Sequence, residues 1–291
     1  MLVYAVNCCL MPELPEVETI ARGLHKRVAG DTILSVWLGE KPEPLKSPPA
    51  DIVRVLEHSR IVQVHRIGKH IVFDLERSDG KRHKGVSRGQ WIVHLGMTGR
   101  MQVTEPEVEI ARHTHAIVKL ASGREVRFVD PRRFGRLAVV KRTAEDADGF
   151  RAQGDEPLES QAKRFVELFR GRKTPIKSAL LNQKLLSGVG NIYADESLFR
   201  AGIRPRRRAA SLTKDQLRKL HSAVQEVLRE AIALGGSSVS DYVNADGEEG
   251  FFQLQHRVYG REGEPCLVCR TPVKRVVIAG RSSHYCPHCQ K

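Results

Sequence analysis

Cys266, Cys269, Cys286 and Cys289, spaced C-x2-C-x16-C-x2-C near the end of the chain, constrain its fold more than any other feature. Two C-x2-C knuckles supply four thiolates to one tetrahedral ion, so the spacing predicts a single structural Zn2+. Because all four ligands come from protein, the site is closed and the metal is structural rather than catalytic. A pair of disulfides is the alternative, and it requires an oxidising compartment. The opening MLVYAVNCCL carries no charge and therefore lacks the basic region of a secretion signal.

The 291 residues include 48 Lys and Arg against 34 Asp and Glu, a net charge of +14. Such an excess favours a polyanion, because each phosphate neutralised releases condensed counterions. The basic residues are also grouped: Arg132 with Arg133, then Arg170, Arg172, Lys173 and Lys177, then Arg204 and Arg206 to Arg208. The planar guanidinium suits phosphate geometry. On charge alone, a solvated basic surface and a membrane-surface protein stay open. No apolar run approaches the roughly 20 residues that span a bilayer, which excludes a transmembrane helix.

The length fits two domains. From Pro12 the pattern turns helical, with Val17, Ile20, Ala21, Leu24 and Val28 on one face, until Gly30 and Asp31 stop it. Residues 32–141 read mainly as strands: 71–75, 91–95, 116–120, 126–129 and 137–140 are short, β-branched and separated by turn residues. The polar segment 78–90 reads as a long exposed hairpin loop. One helix followed by short strands predicts an antiparallel β-sandwich with a helix at its edge. Acidic and small residues mark a linker over 143–160. Helices are expected at 161–170, 175–187, 191–201 and 213–234. The turn Gly188-Val189-Gly190, with Asn191 at the expected N-cap, would present backbone N–H groups to an anion.

These segments, taken in order, resemble the formamidopyrimidine-DNA glycosylase family. The likeness is carried by Met11-Pro12-Glu13-Leu14-Pro15-Glu16-Val17-Glu18, His94-Leu95-Gly96-Met97-Thr98-Gly99, Asp130-Pro131-Arg132-Arg133-Phe134-Gly135, Gly188-Val189-Gly190-Asn191-Ile192-Tyr193-Ala194 and Val258-Tyr259-Gly260-Arg261, then the four cysteines. It runs from 11 to 291. The resemblance implies an α+β fold: an N-terminal helix and antiparallel β-sandwich, then a helical domain with a helix-two-turn-helix and a zinc-ribbon-like β-hairpin finger. The corresponding division is an extension (1–10), a catalytic domain (11–142), a linker (143–160), a DNA-binding helical domain with a lesion loop (161–250) and the finger (251–291). It further implies a monomeric base-excision repair enzyme of the cytoplasm and nucleoid, with no membrane partner. Its substrate would be double-stranded DNA containing oxidised purines or abasic sites, and its activities N-glycosylase and AP lyase. An endonuclease VIII-like enzyme for oxidised pyrimidines and a non-catalytic damage-binding zinc protein are the competing readings.

Family likeness makes Pro12 the nucleophile, as first residue of the mature protein. A terminal amine has a pKa of about 8, so a useful fraction is unprotonated near neutrality. Within a chain, a proline nitrogen is an amide and cannot attack. Here the sequence departs from the family, since ten residues precede Met11. A true start at Met11 is the favoured expectation; proteolytic removal of the extension, or an inactive protein that retains it, are the alternatives. The resemblance makes Glu13 the general acid, which must hold a proton near neutrality. It assigns Lys69 to phosphate contact and β-elimination, and Arg281 to δ-elimination. Met97, Arg132 and Phe134 would fill the hole left by an extruded nucleotide. His113, Arg133, Lys173, Lys177 and Asn191 would bind phosphate. Residues 237–251 match the lesion-capping loop, and Asn182 stands where the family has an acid.

Overall fold

The computed structural model describes residues 11–78, 86–142, 149–237 and 250–291. The expected extension, residues 79–85 of the 78–90 loop, the start of the linker and nearly all of the 237–251 loop lie outside the described residues; residues 86–90, expected in that loop, pair as strand with residues 74–78 instead. The chain divides into two compact units. Glu16–Arg151 dominates the first; Glu13–Pro15, Ala152–Gly236 and Phe251–Lys291 form the second.

Helix α1 spans Leu14–Val28. In the first unit its apolar stripe, Val17, Ile20, Ala21, Leu24 and Val28, is buried as the periodicity predicts. Among the described residues eight strands follow: β1 (Ile33–Leu38), β2 (Arg60–Ile67), β3 (His70–Ser78), β4 (Val86–His94), β5 (Arg100–Thr104), β6 (Thr114–Leu120), β7 (Glu125–Val129) and β8 (Arg136–Arg142). They pair antiparallel in two sheets, β1-β6-β7-β5 and β2-β3-β4-β8. Ile33, Val118 and Phe128 of one sheet share a single core with Phe73, Trp91 and Leu137 of the other and with the α1 stripe. This is a β-sandwich with a helix packed on its core.

Strand β7 shows how the sandwich treats its two faces. Val126 and Phe128 enter the core, while Glu125 and Arg127 point the other way. Arg127 Nε donates to Glu125 at 2.8 Å, and its Nη1 donates to the carbonyls of Val108 and Glu109. A buried charge needs such complete pairing.

Sequence reading named five of these strands, left β1, β2 and β5 unassigned within the strand-rich stretch, and missed helix α2 at Pro49–Leu56. Proline stands at its first position, Asp51 in its first turn, and Ile52, Val55 and Leu56 form its buried side.

The second unit is helical: α3 (Ala162–Phe169), α4 (Ile176–Leu180), α5 (Asn191–Ala201) and α6 (Lys214–Ala233). Helix α6 opens with a full capping box, Thr213 with Gln216. The helix expected over 175–187 ends instead at Leu180. There Asn182 takes over the backbone: its Oδ1 accepts from Lys184 N at 3.0 Å and its carbonyl from Leu185 N at 2.8 Å. Local side-chain bonding of this kind competes with helix. Strands β9 (Lys274–Ile278) and β10 (Arg281–Tyr285) form the hairpin between the cysteine knuckles.

Candidate active site and metal centre

In the second unit the Gly-rich turn before α5 does hold an anion, and the anion is the chain's own Glu13. Its carboxylate accepts from Ile192 N at 3.2 Å and Tyr193 N at 3.5 Å. A helix N-terminus offers unpaired N–H groups and a positive dipole end, so it holds a carboxylate well. Glu13 is only 3% exposed. The turn is braced by Gln183, which donates to Val189 O at 2.8 Å and accepts from Gly188 N at 2.9 Å. Gly190 leaves room for the acid: a Cβ there would lie 2.1 Å from Glu13 Cδ. Gly190, rather than Asn191, is the N-cap; it has no side chain to cap with, and the Glu13 carboxylate takes that place. Asn191 is the first helical residue. Its Nδ2 donates to Ser282 Oγ at 3.3 Å, and its buried Oδ1 has no hydrogen-bond partner among the described residues.

Lys177 departs from its expected role. Its side chain is 0% exposed, and Nζ donates to Asp195 Oδ1 and Ser282 O, both at 2.7 Å. Burial lowers its pKa below the usual lysine value, opposed by the adjacent Asp195 and by Glu13. A cation enclosed in this way serves the fold, so the expected phosphate contact does not hold for it. Asp195 also accepts from Ser283 Oγ (2.7 Å) and His284 N (2.8 Å), joining α4, α5 and β10 through one buried carboxylate. Its neighbour Glu196 accepts from the backbone N–H groups of Arg257, Val258 and Tyr259. Burial raises its pKa against those three donors. Sequence reasoning missed both acids. The available signal was that α5 presents little polar surface, so acids within it need internal partners.

Arg281 and Lys173 are exposed, as charge-bearing contact residues must be. The third basic cluster is only partly free. Arg204 donates to the carbonyls of Gln290 and Pro287, and Arg206 to that of Val277, which fastens the cysteine module rather than leaving a phosphate footprint.

The four cysteine sulfurs lie within 4.8 Å of one another. Pairs such as Cys266–Cys289 at 3.9 Å and Cys269–Cys286 at 3.4 Å compare with about 3.8 Å between ligands of a tetrahedral Zn–S4 site. The donor set fits one zinc ion, which Cys266, Cys269, Cys286 and Cys289 would hold.

In the first unit, Pro12 and Lys69 are part-buried, Pro12 immediately before α1 and Lys69 in the turn between β2 and β3. Beside Lys69 in sequence, His70 packs on His94 with ring centroids 4.9 Å apart and planes tilted by 56°. Burial, followed by His70, Arg136 and Lys69, lowers the His94 pKa to about 3. Two turns carry the expected void-filling side chains. Phe134 is 53% exposed, and the Arg132 guanidinium lies 4.9 Å over its ring. Met97 stands part-buried on the turn after β4. Arg133 and His113 are exposed and both adopt left-handed backbone, φ 58° and 68°. Such conformations persist only where surrounding structure over-determines them. Arg133 meets Glu43 at 2.6 Å, so phosphate would have to compete with that exposed carboxylate.

Three family models match the chain: the formamidopyrimidine-DNA glycosylase N-terminal domain over 11–137, its H2TH domain over 153–243, and the zinc finger found in FPG and IleRS over 263–291. The chain belongs to the formamidopyrimidine-DNA glycosylase family. It is 43% identical over 287 residues to the Solibacter usitatus formamidopyrimidine-DNA glycosylase, covering 97% of this chain and 100% of that one. The MutM (FPG) crystal structure from Thermus thermophilus superposes with TM-score 0.81 at 43% identity, covering 96% of this chain and 98% of the other. The Lactococcus lactis Fpg, solved with DNA containing an abasic site, gives TM-score 0.82 at 31% identity over 96% and 99% of the two chains. Among the described residues no helix is long and apolar enough to cross a membrane.

Proposed function

We propose that this family member excises oxidised purines, 8-oxoguanine and formamidopyrimidines, from duplex DNA and then nicks the strand by β,δ-elimination. The observation that carries the reading is the carboxylate of Glu13, fixed at the N-terminus of α5 one residue after Pro12. A net charge of +14 supports DNA as the partner, as do the Lactococcus lactis complexes with abasic-site and Fapy-dG DNA. The enzyme works as a monomer in the cytoplasm, on the nucleoid. Its working division is 11–142 for chemistry, 161–250 for DNA grip and 251–291 for the zinc finger, with 143–160 as linker and 1–10 outside the mature protein.

With Pro12 as the mature N-terminus, its secondary amine attacks C1′ and the bond to the damaged base breaks. Glu13 supplies a proton to the sugar oxygen or the leaving base. Loss of the amine proton and opening of the sugar ring at C1′–O4′, with the ring oxygen protonated, then give an iminium without a removable N–H proton, an electron sink that acidifies the C2′ hydrogen. Loss of that proton expels the 3′ phosphate, with Lys69 at the site, and a second elimination assisted by Arg281 expels the 5′ phosphate. The guanidinium acts first as a fixed charge. His113, Arg133, Lys173 and Asn191 hold phosphates, and Met97, Arg132 and Phe134 occupy the vacated stack. Cys266, Cys269, Cys286 and Cys289 would hold zinc as a structural ion with no part in the reaction, and they flank the hairpin that bears Arg281.

Excision from duplexes containing 8-oxoguanine or thymine glycol tests the reading. Release of the oxidised purine at least 10-fold faster is expected. A preference for thymine glycol would instead place the chain with oxidised-pyrimidine enzymes.

A further inference from the structure

Asp130 is 0% exposed, and among the described residues its side chain is held by one hydroxyl and two backbone N–H groups rather than by a cation. Its carboxylate is spent on two turns. Oδ1 accepts from Thr98 Oγ1 at 2.5 Å and from Arg132 N at 3.2 Å, and Oδ2 accepts from Gly135 N at 2.7 Å. Thr98 follows Met97, and the two backbone donors bracket Arg133 and Phe134. The backbone of Asp130 extends the same frame: its N–H donates to His113 O at 3.0 Å and its carbonyl meets His115 Nε2 at 2.9 Å. The turns also touch directly. A Cβ on Gly96 would lie 2.5 Å from Phe134 C, and one on Gly135 would lie 2.4 Å from the Phe128 ring. Gly96 and Gly135 thus lack side chains where one turn seats against the other and against the sheet.

We infer that Asp130 is a positioning residue that fuses the Met97 turn and the Arg132–Phe134 turn into one wedge, assembled before DNA arrives. The inference rests on the proposed void-filling role of those three side chains. Its physical content is entropic. Inserting three side chains into a stack demands that their backbones already hold the inserted geometry, because ordering loose turns at that moment would cost binding energy. A buried carboxylate with charge-assisted bonds to both turns prevents that loss. Asp130 itself touches no reacting atom.

The test compares wild type, Asp130→Asn, Thr98→Val and Thr98→Ser on two substrates. One is a duplex with 8-oxoguanine and a neighbouring 2-aminopurine, whose fluorescence reports unstacking. The other is a single strand with an abasic site, read by borohydride trapping, where no stack has to be opened. Asp130→Asn should lose at least 20-fold more on the duplex than on the single strand, with slowed 2-aminopurine unstacking. Thr98→Val should lose about 5-fold more in the same sense, and Thr98→Ser should recover it. Equal losses on both substrates in folded Asp130→Asn and Thr98→Val would overturn the inference, and so would unchanged unstacking. If Asp130→Asn does not fold, the Thr98 pair decides alone. A wild type inactive on both substrates refutes the functional reading; the ratio between variants and an active wild type tests only Asp130.

Discussion

The turn around Glu13 and the paired turns around Phe134 solve opposite problems. At the first, every charge is turned inward: Glu13 sits on two helix N–H groups, and Lys177 is enclosed by Asp195 and a carbonyl. At the second, one buried carboxylate lies beneath an arginine and a phenylalanine turned outward. Residues expected to act together therefore need different support. A group that transfers a proton needs a dry, fully bonded setting, whereas groups that enter DNA need an exposed tip on a rigid base.

The largest break in that contrast should come from Gly190→Ala. Gly190 has extended backbone, φ −126°, so alanine adds no backbone strain, but its Cβ would take the place of Glu13 Cδ. Glu13 is the part that can move. Base release in single turnovers should fall by about 10²–10⁴-fold, the range for a lost general acid, while circular dichroism stays that of the wild type. Unchanged release would mean that the held position of Glu13 is irrelevant to catalysis.

Removing one member of the buried pair should come next, and it should act on stability. Lys177→Met leaves Asp195 charged and without its cation, which costs about 3–5 kcal/mol. Denaturation followed by helical circular dichroism measures it, and Lys177→Met with Asp195→Asn, which removes the charge but keeps an acceptor for Ser283 or His284, should recover part of the loss. A single variant within about 0.5 kcal/mol of wild type, the size of an ordinary surface change, would show that the pair is not closed as described.

The smallest effect concerns pH in the first unit. His94 is lowered to about 3 in the folded protein, against about 6.5 unfolded. Between those values the unfolded chain binds the extra proton. Stability is therefore full above about pH 6.5 and is lost as pH falls, by about 2 kcal/mol at pH 5. Both tryptophans, Trp37 and Trp91, belong to this unit, so their fluorescence reports its unfolding alone. His94→Gln should make the dependence between pH 7 and 5 shallower, leaving the part due to His70, which burial also lowers. A wild type equally stable at both values would contradict the burial of a neutral imidazole.

Much of this was legible in the sequence because it depends on local chemistry. The α1 stripe, the strand cores and the cysteine spacing follow from periodicity and ligand geometry. Helix α2 was equally legible from its leading prolines and its Ile52, Val55 and Leu56 spacing, yet eight residues among strands are easily read as another turn. What could not be read was the identity of partners. Nothing in Thr174-Pro175-Ile176-Lys177 distinguishes a phosphate-binding lysine from a buried one, because the answer lies in Asp195 and Ser282, 18 and 105 residues away. The Gly-rich turn was recognised as an anion site; that the anion would be Glu13 depended on a bond spanning 179 residues.

The proposed reaction depends above all on the Pro12 nitrogen as nucleophile. Protein beginning at Pro12 should be mixed with abasic-site DNA and sodium borohydride, and the covalent product digested and mapped by mass spectrometry. The expected result is a single DNA-linked peptide modified at the Pro12 nitrogen, absent when residues 1–11 are retained. An adduct on a lysine, or one formed equally well with residues 1–11 in place, would contradict the claim.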